Sequence, residues 1–172
     1  MDLKALHKIT YGLYIVSSRD QERLNGQIAN TVFQVTATPP RVAVCLNREN
    51  LTHSFVNKSG IFSISVLEQE TPFKFIGIFG FHSGRDIDKF KGIKYKIGKT
   101  GVPIVLEHTL AYMEFKVEGK METGTHTLFI GTLRGAEIIK EGTPLTYDYY
   151  HRVLKGKSPK NAPTYIEERR AK

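Results

Sequence analysis

Alternation of apolar and polar side chains predicts that this chain is built mainly from β-strands. Apolar residues recur at every second position, or β-branched residues cluster, in several short segments. In the longest of these segments, Glu114, Lys116 and Glu118 alternate with apolar residues, which predicts a strand with one face in water. Sequences rich in glycine, proline and charged residues separate the segments, as is typical of turns. The predicted strands are 12–18, 27–38, 41–47, 61–67, 93–97, 103–118 and 126–139.

Helices are predicted to be few and short. Asn50 is placed to cap a helix over 51–59, and Gly60 is placed to end it. Further short helices are predicted over 3–9, 72–80 and 85–92. Many strands joined by short helices favour a closed or nearly closed β-barrel. The periodicity fades after His151, so we expect one domain over residues 1–152 and an extended tail over 153–172.

Length and composition place the chain among small proteins with one hydrophobic core. It has 172 residues, of which 40% are hydrophobic. The longest apolar run, 75–81, is far shorter than the roughly 20 residues that cross a bilayer. The first twelve residues also lack the apolar centre of a signal peptide. We therefore expect a soluble cytoplasmic protein without membrane segments.

The sequence lacks the residues that several common kinds of functional site require. The single cysteine, Cys45, excludes a CxxC pair and a cysteine-rich cluster, and the 6 histidines show no ligand spacing, so no metal site is expected. The glycine-rich and P-loop nucleotide motifs are missing, as are the motifs of serine hydrolases and zinc proteases.

A positive charge favours anionic partners. The formal net charge is +8, and much of the excess falls after residue 151. An acidic protein or a phosphate-bearing cofactor fits this charge, and a solvated basic tail explains it as well. No basic stripe alternates with stacking aromatic residues, so nucleic-acid binding is not expected.

Small polar side chains cluster on two consecutive predicted strands. Asn30 and Thr31 are adjacent, so they point to opposite faces and are not explained by one solvated face alone. Asn47, Asn50 and Thr52 follow the next strand at a helix start, where free N–H groups favour a phosphate. An ordinary helix cap explains this second cluster equally well, but together the two clusters favour a ligand site.

The order and spacing of several segments resemble a known family, the flavin reductase-like proteins with the FMN-binding split-barrel fold. Within it, the chain is most similar to the flavoprotein module of high-molecular-weight rubredoxins, to flavoredoxin and to ferric reductase. No CxxC pair follows the linker-like tail, so we expect no fused rubredoxin domain. The resemblance runs from about residue 10 to residue 150 and rests on ITYGLYIVSS, GQIANTVFQVTATPPRVAVCLN, NLTHSF, SGIFSISVL, DKFKGI, GTHTLFIG and TPLTYDYY.

This resemblance implies a fold and a function. The fold would be mainly β, a six-stranded antiparallel Greek-key split barrel with short peripheral helices, and the protein would be a homodimer. It would pass electrons from NADH or NADPH through bound FMN to an acceptor such as rubredoxin, ferric iron or another redox protein. An FMN electron carrier that is reduced by a partner protein, and a flavin-free binding module, remain the alternatives.

The resemblance also implies which residues would contact FMN. The first strand pair would line the ring or ribityl chain, and the turn before the helix at 51–59 would hold the ribityl and phosphate end. The 83–90 region would add further contacts, although a solvated basic loop explains Ser83 and Arg85 nearly as well. The implied cofactor residues are Asn30, Thr31, Val32, Leu46, Asn47, Arg48, Thr52, Ser83, Arg85, Lys89 and Phe90.

His126 would position the nicotinamide of the electron donor. Family members often carry Gly-Asp-His at this point, whereas this chain has Thr125 in place of the aspartate. Tyr147 and Tyr150 match an aromatic motif that borders the nucleotide or the dimer interface. A histidine satisfied within its strand, and tyrosines packed at a strand edge, are the structural alternatives.

Overall fold

The computed structural model describes residues 2–165. Most of its strands are long enough to pair along several residues, and two are short. The strands are β1 Tyr14–Asp20, β2 Arg23–Ala29, β3 Val32–Ala37, β4 Pro40–Asn47, β5 Ile61–Leu67, β6 Tyr95–Ile97, β7 Pro103–Val105, β8 Thr109–Thr123 and β9 His126–Ile138. A 3₁₀ helix spans Leu3–Lys8, and the α-helices are α1 Leu51–Ser59, α2 Phe73–Gly80 and α3 Tyr147–Arg152.

One large antiparallel sheet organises the fold. It has 7 strands in the order β2-β1-β5-β8-β9-β4-β3, while β6 and β7 form a separate two-stranded sheet. A flat sheet of this size would separate its edge strands by about 29 Å. The chain nevertheless passes from the end of β2 to the start of β3 through Asn30 and Thr31 alone, which allows at most about 11 Å. The sheet must therefore curl until its two edges approach each other, as in a split barrel.

The predicted fold class is confirmed, with a sheet of seven strands where six were predicted, and the other differences lie in single elements. The run 27–38 divides into β2 and β3 because its first half pairs with β1 and its second half with β4. The run 103–118 likewise divides into β7 and β8. Residues 85–92 form turns in place of the predicted helix. The helix α3 was not predicted; its N-cap is Thr146, whose hydroxyl accepts a hydrogen bond from the Tyr149 N–H at 3.1 Å.

Two clusters of apolar side chains fill the space on either side of the strands. One contains Leu46, Phe62, Phe115 and Phe129, all fully buried, and the rings of Phe62 and Phe115 stack with their centroids 5.0 Å apart. The other lies under α2 and α3 and includes Ile15, Ile76, Phe79, Phe90 and Tyr150. Among residues 2–165, no helix has the length and apolar character to cross a membrane.

The predicted water-facing side of β8 is confirmed for Lys116 and Glu118, which are exposed, but the prediction is wrong for Glu114. Its side chain is buried, and its carboxylate accepts hydrogen bonds from the N–H groups of Lys99 and Thr100 at 3.2 and 2.8 Å and from the Thr100 hydroxyl at 2.8 Å. The loop between β6 and β7 covers this position of β8, so the polar face of the strand meets backbone donors in place of water.

The tail beyond α3 is extended, as predicted, but it packs against the domain. Gly156 is buried, and a Cβ atom there would lie 2.0 Å from Cζ of Tyr150. The Gly156 N–H donates to the Tyr150 carbonyl oxygen at 3.0 Å. We call residues 156–164 the C-terminal strap. The predicted boundary after residue 152 remains a prediction, and tail residues 166–172, including the basic Arg169, Arg170 and Lys172, lie outside the described residues.

Candidate functional site

A cleft of about 370 Å³ lies beside β2, an edge strand of the large sheet. Its walls come from β2, the end of β4, the start of α1, the loop after α2, α3 and the strap. Its volume is in the range of small-molecule and cofactor sites. Most of the residues that the sequence analysis selected line it. They are Asn30, Asn47, Thr52, Ser83, Arg85, Lys89, Tyr147 and Tyr150.

The remaining cofactor candidates have side chains outside the cleft. Leu46 is fully buried in the core because it alternates with Asn47 along β4, so the two point to opposite faces. Arg48 is exposed and forms an ion pair with Glu122 at 3.5 Å. Phe90 and Val32 pack against the hydrophobic clusters, and Thr31 donates to the Asn30 side-chain oxygen at 3.2 Å. The structure therefore does not bring the side chains of Thr31, Val32, Leu46, Arg48 and Phe90 into the cleft.

The start of α1 offers hydrogen-bond donors to an anion. The first N–H groups of a helix have no intrahelical partners, and the Asn50 side chain does not cap them. Thr52 is buried in this first turn. Arg85 donates to the Glu49 carbonyl oxygen at 3.2 Å, which ties the loop after α2 to the turn that precedes α1. Helix donors and a guanidinium thus meet on one side of the cleft, as phosphate binding requires.

Lys89 contributes a buried amine to the same cleft. Its Nζ donates to the carbonyl oxygens of Gly26 and Phe79 at 2.9 and 3.2 Å. Burial lowers the pKa of Lys89 from 10.5 to about 8. An anion bound nearby would stabilise the charged form, so the geometry suits a phosphate-bearing ligand.

Two amide side chains that the sequence analysis missed face the cleft from β2. Asn25 is buried and donates through Nδ2 to the Thr52 hydroxyl at 2.9 Å. Among residues 2–165, neither Oδ1 of Asn25 nor Oε1 of Gln27 has a hydrogen-bond partner, although both atoms are buried. An unpaired buried acceptor costs about 1–3 kcal/mol, so a ligand with donor groups is expected beside them. Asn25 and Gln27 are two residues apart, so they share one face of β2. The predicted strand began at residue 27 and left out Asn25; a strand predicted from residue 23 would have shown the pair.

Gly84 allows the loop after α2 to approach this pair closely. A Cβ atom at this position would lie 2.0 Å from Oδ1 of Asn25. Arg23 fixes the loop from the other side by donating to the Gly84 carbonyl oxygen at 2.6 Å. The narrow wall of the cleft therefore depends on glycine at position 84.

His126 lies beside the cleft and contacts a strap residue that lines it. Its Nδ1 lies 2.8 Å from the Thr125 hydroxyl, and its Nε2 lies 3.3 Å from the carbonyl oxygen of Asn161, a residue that lines the cleft. A carbonyl oxygen can only accept, so Nε2 carries a proton in this arrangement. The threonine that replaces the family's aspartate thus still orients the ring.

Comparison with known proteins decides the family. A family model described as flavin reductase like domain matches residues 6–155. The chain belongs to the flavin reductase-like family. This membership confirms the resemblance seen in the sequence, and with it the predicted class of flavin reductase-like oxidoreductases.

Two relatives and one solved structure illustrate this family. The chain is 52% identical over 165 residues to high molecular weight rubredoxin of Moorella thermoacetica, covering 96% of this chain and 72% of that protein. It is 53% identical over 169 residues to ferric-chelate reductase (NAD(P)H) of Archaeoglobus fulgidus, covering 98% and 100%. An FMN-binding protein from Thermus thermophilus has a similar structure, with a TM-score of 0.72, 28% identity and coverage of 77% and 73%.

Proposed function

We propose that this protein binds FMN in the cleft and passes electrons from NAD(P)H to a redox acceptor. When bound, FMN would supply the redox chemistry, while the protein binds and orients the reactants and limits the access of water. The observation that carries the proposal is the match between the cleft and the ligand: donors and cations for a phosphate lie beside unpaired acceptors.

Each group of the cleft has a partner in FMN. The start of α1, Arg85 and Lys89 suit the phosphate, because they supply backbone donors and positive charge. Asn25 and Gln27 suit the imide N–H and the ribityl hydroxyls, because their free oxygens can only accept. The volume of about 370 Å³ suits a mononucleotide better than a dinucleotide flavin, and a structural relative is described as FMN-binding.

The electron donor is proposed to be a nicotinamide nucleotide that binds beside His126. A relative with 53% identity is named for its use of NAD(P)H. The Nε2–H of His126 can donate to a carboxamide oxygen, and Thr125 orients the ring. Replacing His126 by alanine should slow reduction by NAD(P)H more than it weakens flavin binding; the reverse result would place His126 among the flavin contacts.

A homodimer is proposed because one face of the sheet is apolar and exposed. Phe33 and Met121 are 49% and 56% exposed, and Leu128 and Ile130 lie between them on the same face by the strand register. A second copy would cover this face. Sedimentation equilibrium of the wild type and of a Phe33→Asp, Met121→Asp variant tests the assignment; a monomeric wild type would contradict it.

The acceptor is proposed to be an acidic redox protein of the rubredoxin type. The net charge of +8 favours such a partner, and a relative with 52% identity is a high molecular weight rubredoxin. An electron carrier that receives electrons from a partner protein and never uses NAD(P)H is the second candidate. A cytoplasmic location remains a prediction from the sequence.

One experiment separates these candidates. The protein is purified without added flavin, its bound cofactor is identified by mass spectrometry, and the loaded protein is mixed anaerobically with NADH or NADPH. Bleaching of the flavin absorbance with either nucleotide supports the reductase. A flavin that dithionite reduces but neither nucleotide reduces would favour the carrier, and a protein that neither retains flavin nor binds added FMN would contradict both.

A further inference from the structure

The strap hydrogen-bonds with side chains that the sequence resemblance or the proposed function assigns to ligand binding. Asn30 donates through Nδ2 to the Thr164 hydroxyl at 2.9 Å, and the Tyr147 hydroxyl lies 2.8 Å from the same oxygen. His126 is engaged by the Asn161 carbonyl oxygen at 3.3 Å. The polar groups of these three side chains are therefore already hydrogen-bonded to the strap.

The strap is docked at defined points. The close fit of Gly156 against the Tyr150 ring leaves no space for a Cβ atom, and the Tyr150 hydroxyl donates to the Lys157 carbonyl oxygen at 3.1 Å. At the far end, Asn161 donates through Nδ2 to Oδ1 of Asn50 at 3.3 Å. That contact engages the Asn50 side chain, which makes no capping hydrogen bond to α1.

The same strap is held weakly enough to move. Its residues Lys157, Pro159, Lys160 and Pro163 are exposed, and none of its residues belongs to the apolar clusters of the core. Each of its hydrogen bonds contributes about 0.5–1.5 kcal/mol. Segments with few buried apolar contacts open at low free energy.

The Asn161 carbonyl group, which the strap presents to His126, resembles the carboxamide of the proposed electron donor. A peptide carbonyl is an amide oxygen, and the carboxamide of nicotinamide offers the same acceptor to the Nε2–H. A hydroxyl, that of Thr164, meets Asn30 and Tyr147 as a ribose hydroxyl would. The strap thus satisfies these side chains with the acceptors that a nicotinamide riboside carries.

We propose that the strap occupies the subsite of the nicotinamide donor, so that the donor must displace it and the strap sets the donor's affinity. This inference rests on the proposed function. If the strap is docked in about nine-tenths of the molecules, the apparent dissociation constant of the donor is raised about tenfold. Tenfold corresponds to about 1.4 kcal/mol, the scale of one or two of the hydrogen bonds described.

The test measures binding of NAD⁺ and NADP⁺ to FMN-loaded protein by calorimetry, without turnover. The variants are a chain ending at Lys155, which lacks the strap, and Thr164→Val, which removes the anchor for Asn30 without changing charge. A chain ending at Tyr165 is the control because it keeps the whole strap. We expect the chain ending at Lys155 to bind about tenfold more tightly than the control, and Thr164→Val to bind a few-fold more tightly than the full-length protein. Loss of Lys157 and Lys160 acts in the opposite direction on an anionic nucleotide, so charge cannot produce the expected gain.

A second readout follows the strap itself. Trypsin cleavage after Lys157 or Lys160 should become several-fold faster when NAD⁺ or NADP⁺ is added to the full-length protein, because the displaced strap is accessible. Unchanged or weaker nucleotide binding in both strap variants, with FMN retained, overturns the inference. If NAD⁺ and NADP⁺ bind to no form and neither NADH nor NADPH reduces the flavin in any form, including the chain ending at Lys155, the proposed function fails first. If the chain ending at Lys155 does not fold, Thr164→Val and the cleavage rate decide alone.

Discussion

Lys89 should make FMN binding depend on pH through uptake of a proton. Burial lowers its pKa to about 8, and its Nζ already donates to the carbonyl oxygens of Gly26 and Phe79. An ammonium carries a further donor, which is available to a ligand in the cleft that Lys89 lines. A phosphate dianion beside it would raise the pKa again, because the opposite charge favours the protonated form.

The size of the pH effect follows from the charge of Lys89 in the free protein and in the FMN complex. In the free protein, Lys89 loses its proton as the pH rises through about 8. With phosphate bound, it stays charged, so binding above this pH takes up a proton. The dissociation constant of FMN should therefore be about tenfold higher at pH 9 than at pH 7. The phosphate of FMN is a dianion over most of this range and adds little to the change.

Titration of FMN fluorescence with the apoprotein between pH 7 and 9 measures this dependence. Lys89→Arg keeps a positive charge at pH 9 and Lys89→Met has none at any pH, so both should show a flat profile. Riboflavin, which lacks the phosphate, should show a smaller pH effect than FMN. A wild-type profile that is flat within twofold, or a tenfold change that persists in Lys89→Met, would refute the placement of the phosphate beside Lys89.

Three further outcomes concern stability and reactivity. Gly131→Ala should lower the unfolding free energy in urea by about 1–3 kcal/mol, because its Cβ would lie 2.6 Å from Phe62; Gly119→Ala, with open space around it, is the control, and equal losses would contradict this. Burial raises the pKa of Glu114, but its hydrogen bonds with Thr100 and Lys99 outweigh this and the pKa is lowered. Glu114→Gln should therefore cost about 1–3 kcal/mol at pH 7, a difference that shrinks as the pH falls below 4.5 and the wild-type carboxylate is protonated; a difference independent of pH would exclude this explanation. Burial raises the pKa of the Cys45 thiol, so iodoacetamide should label it more slowly than a free thiol, and FMN should slow labelling further because Cys45 lines the cleft; unchanged labelling with FMN would place the ligand elsewhere.

Regular alternation and local chain signals made much of the fold predictable. A strand shows its alternation within its own sequence, and the helix over 51–59 lies between Asn50 and Gly60 as predicted, although the Asn50 side chain does not cap it. The helix α3 was not predicted because its larger apolar residues are tyrosines, and aromatic residues are equally typical of a strand edge. Glu114 was misplaced because alternation shows that a face is polar but not whether water or a loop covers it.

The strands, the family and the polar cluster around Asn47 and Thr52 could be predicted without coordinates, because each depends on residues that are close together along the chain. Which side chains contact one another depends on the folded sheet. The tertiary structure brought Asn25 and Gln27 to the cleft, turned Leu46 into the core and laid the strap across Asn30. The physical reason is that the curled sheet brings together segments that are far apart in sequence. A local pattern shows which residues share a strand face, but it does not show which distant residues they contact.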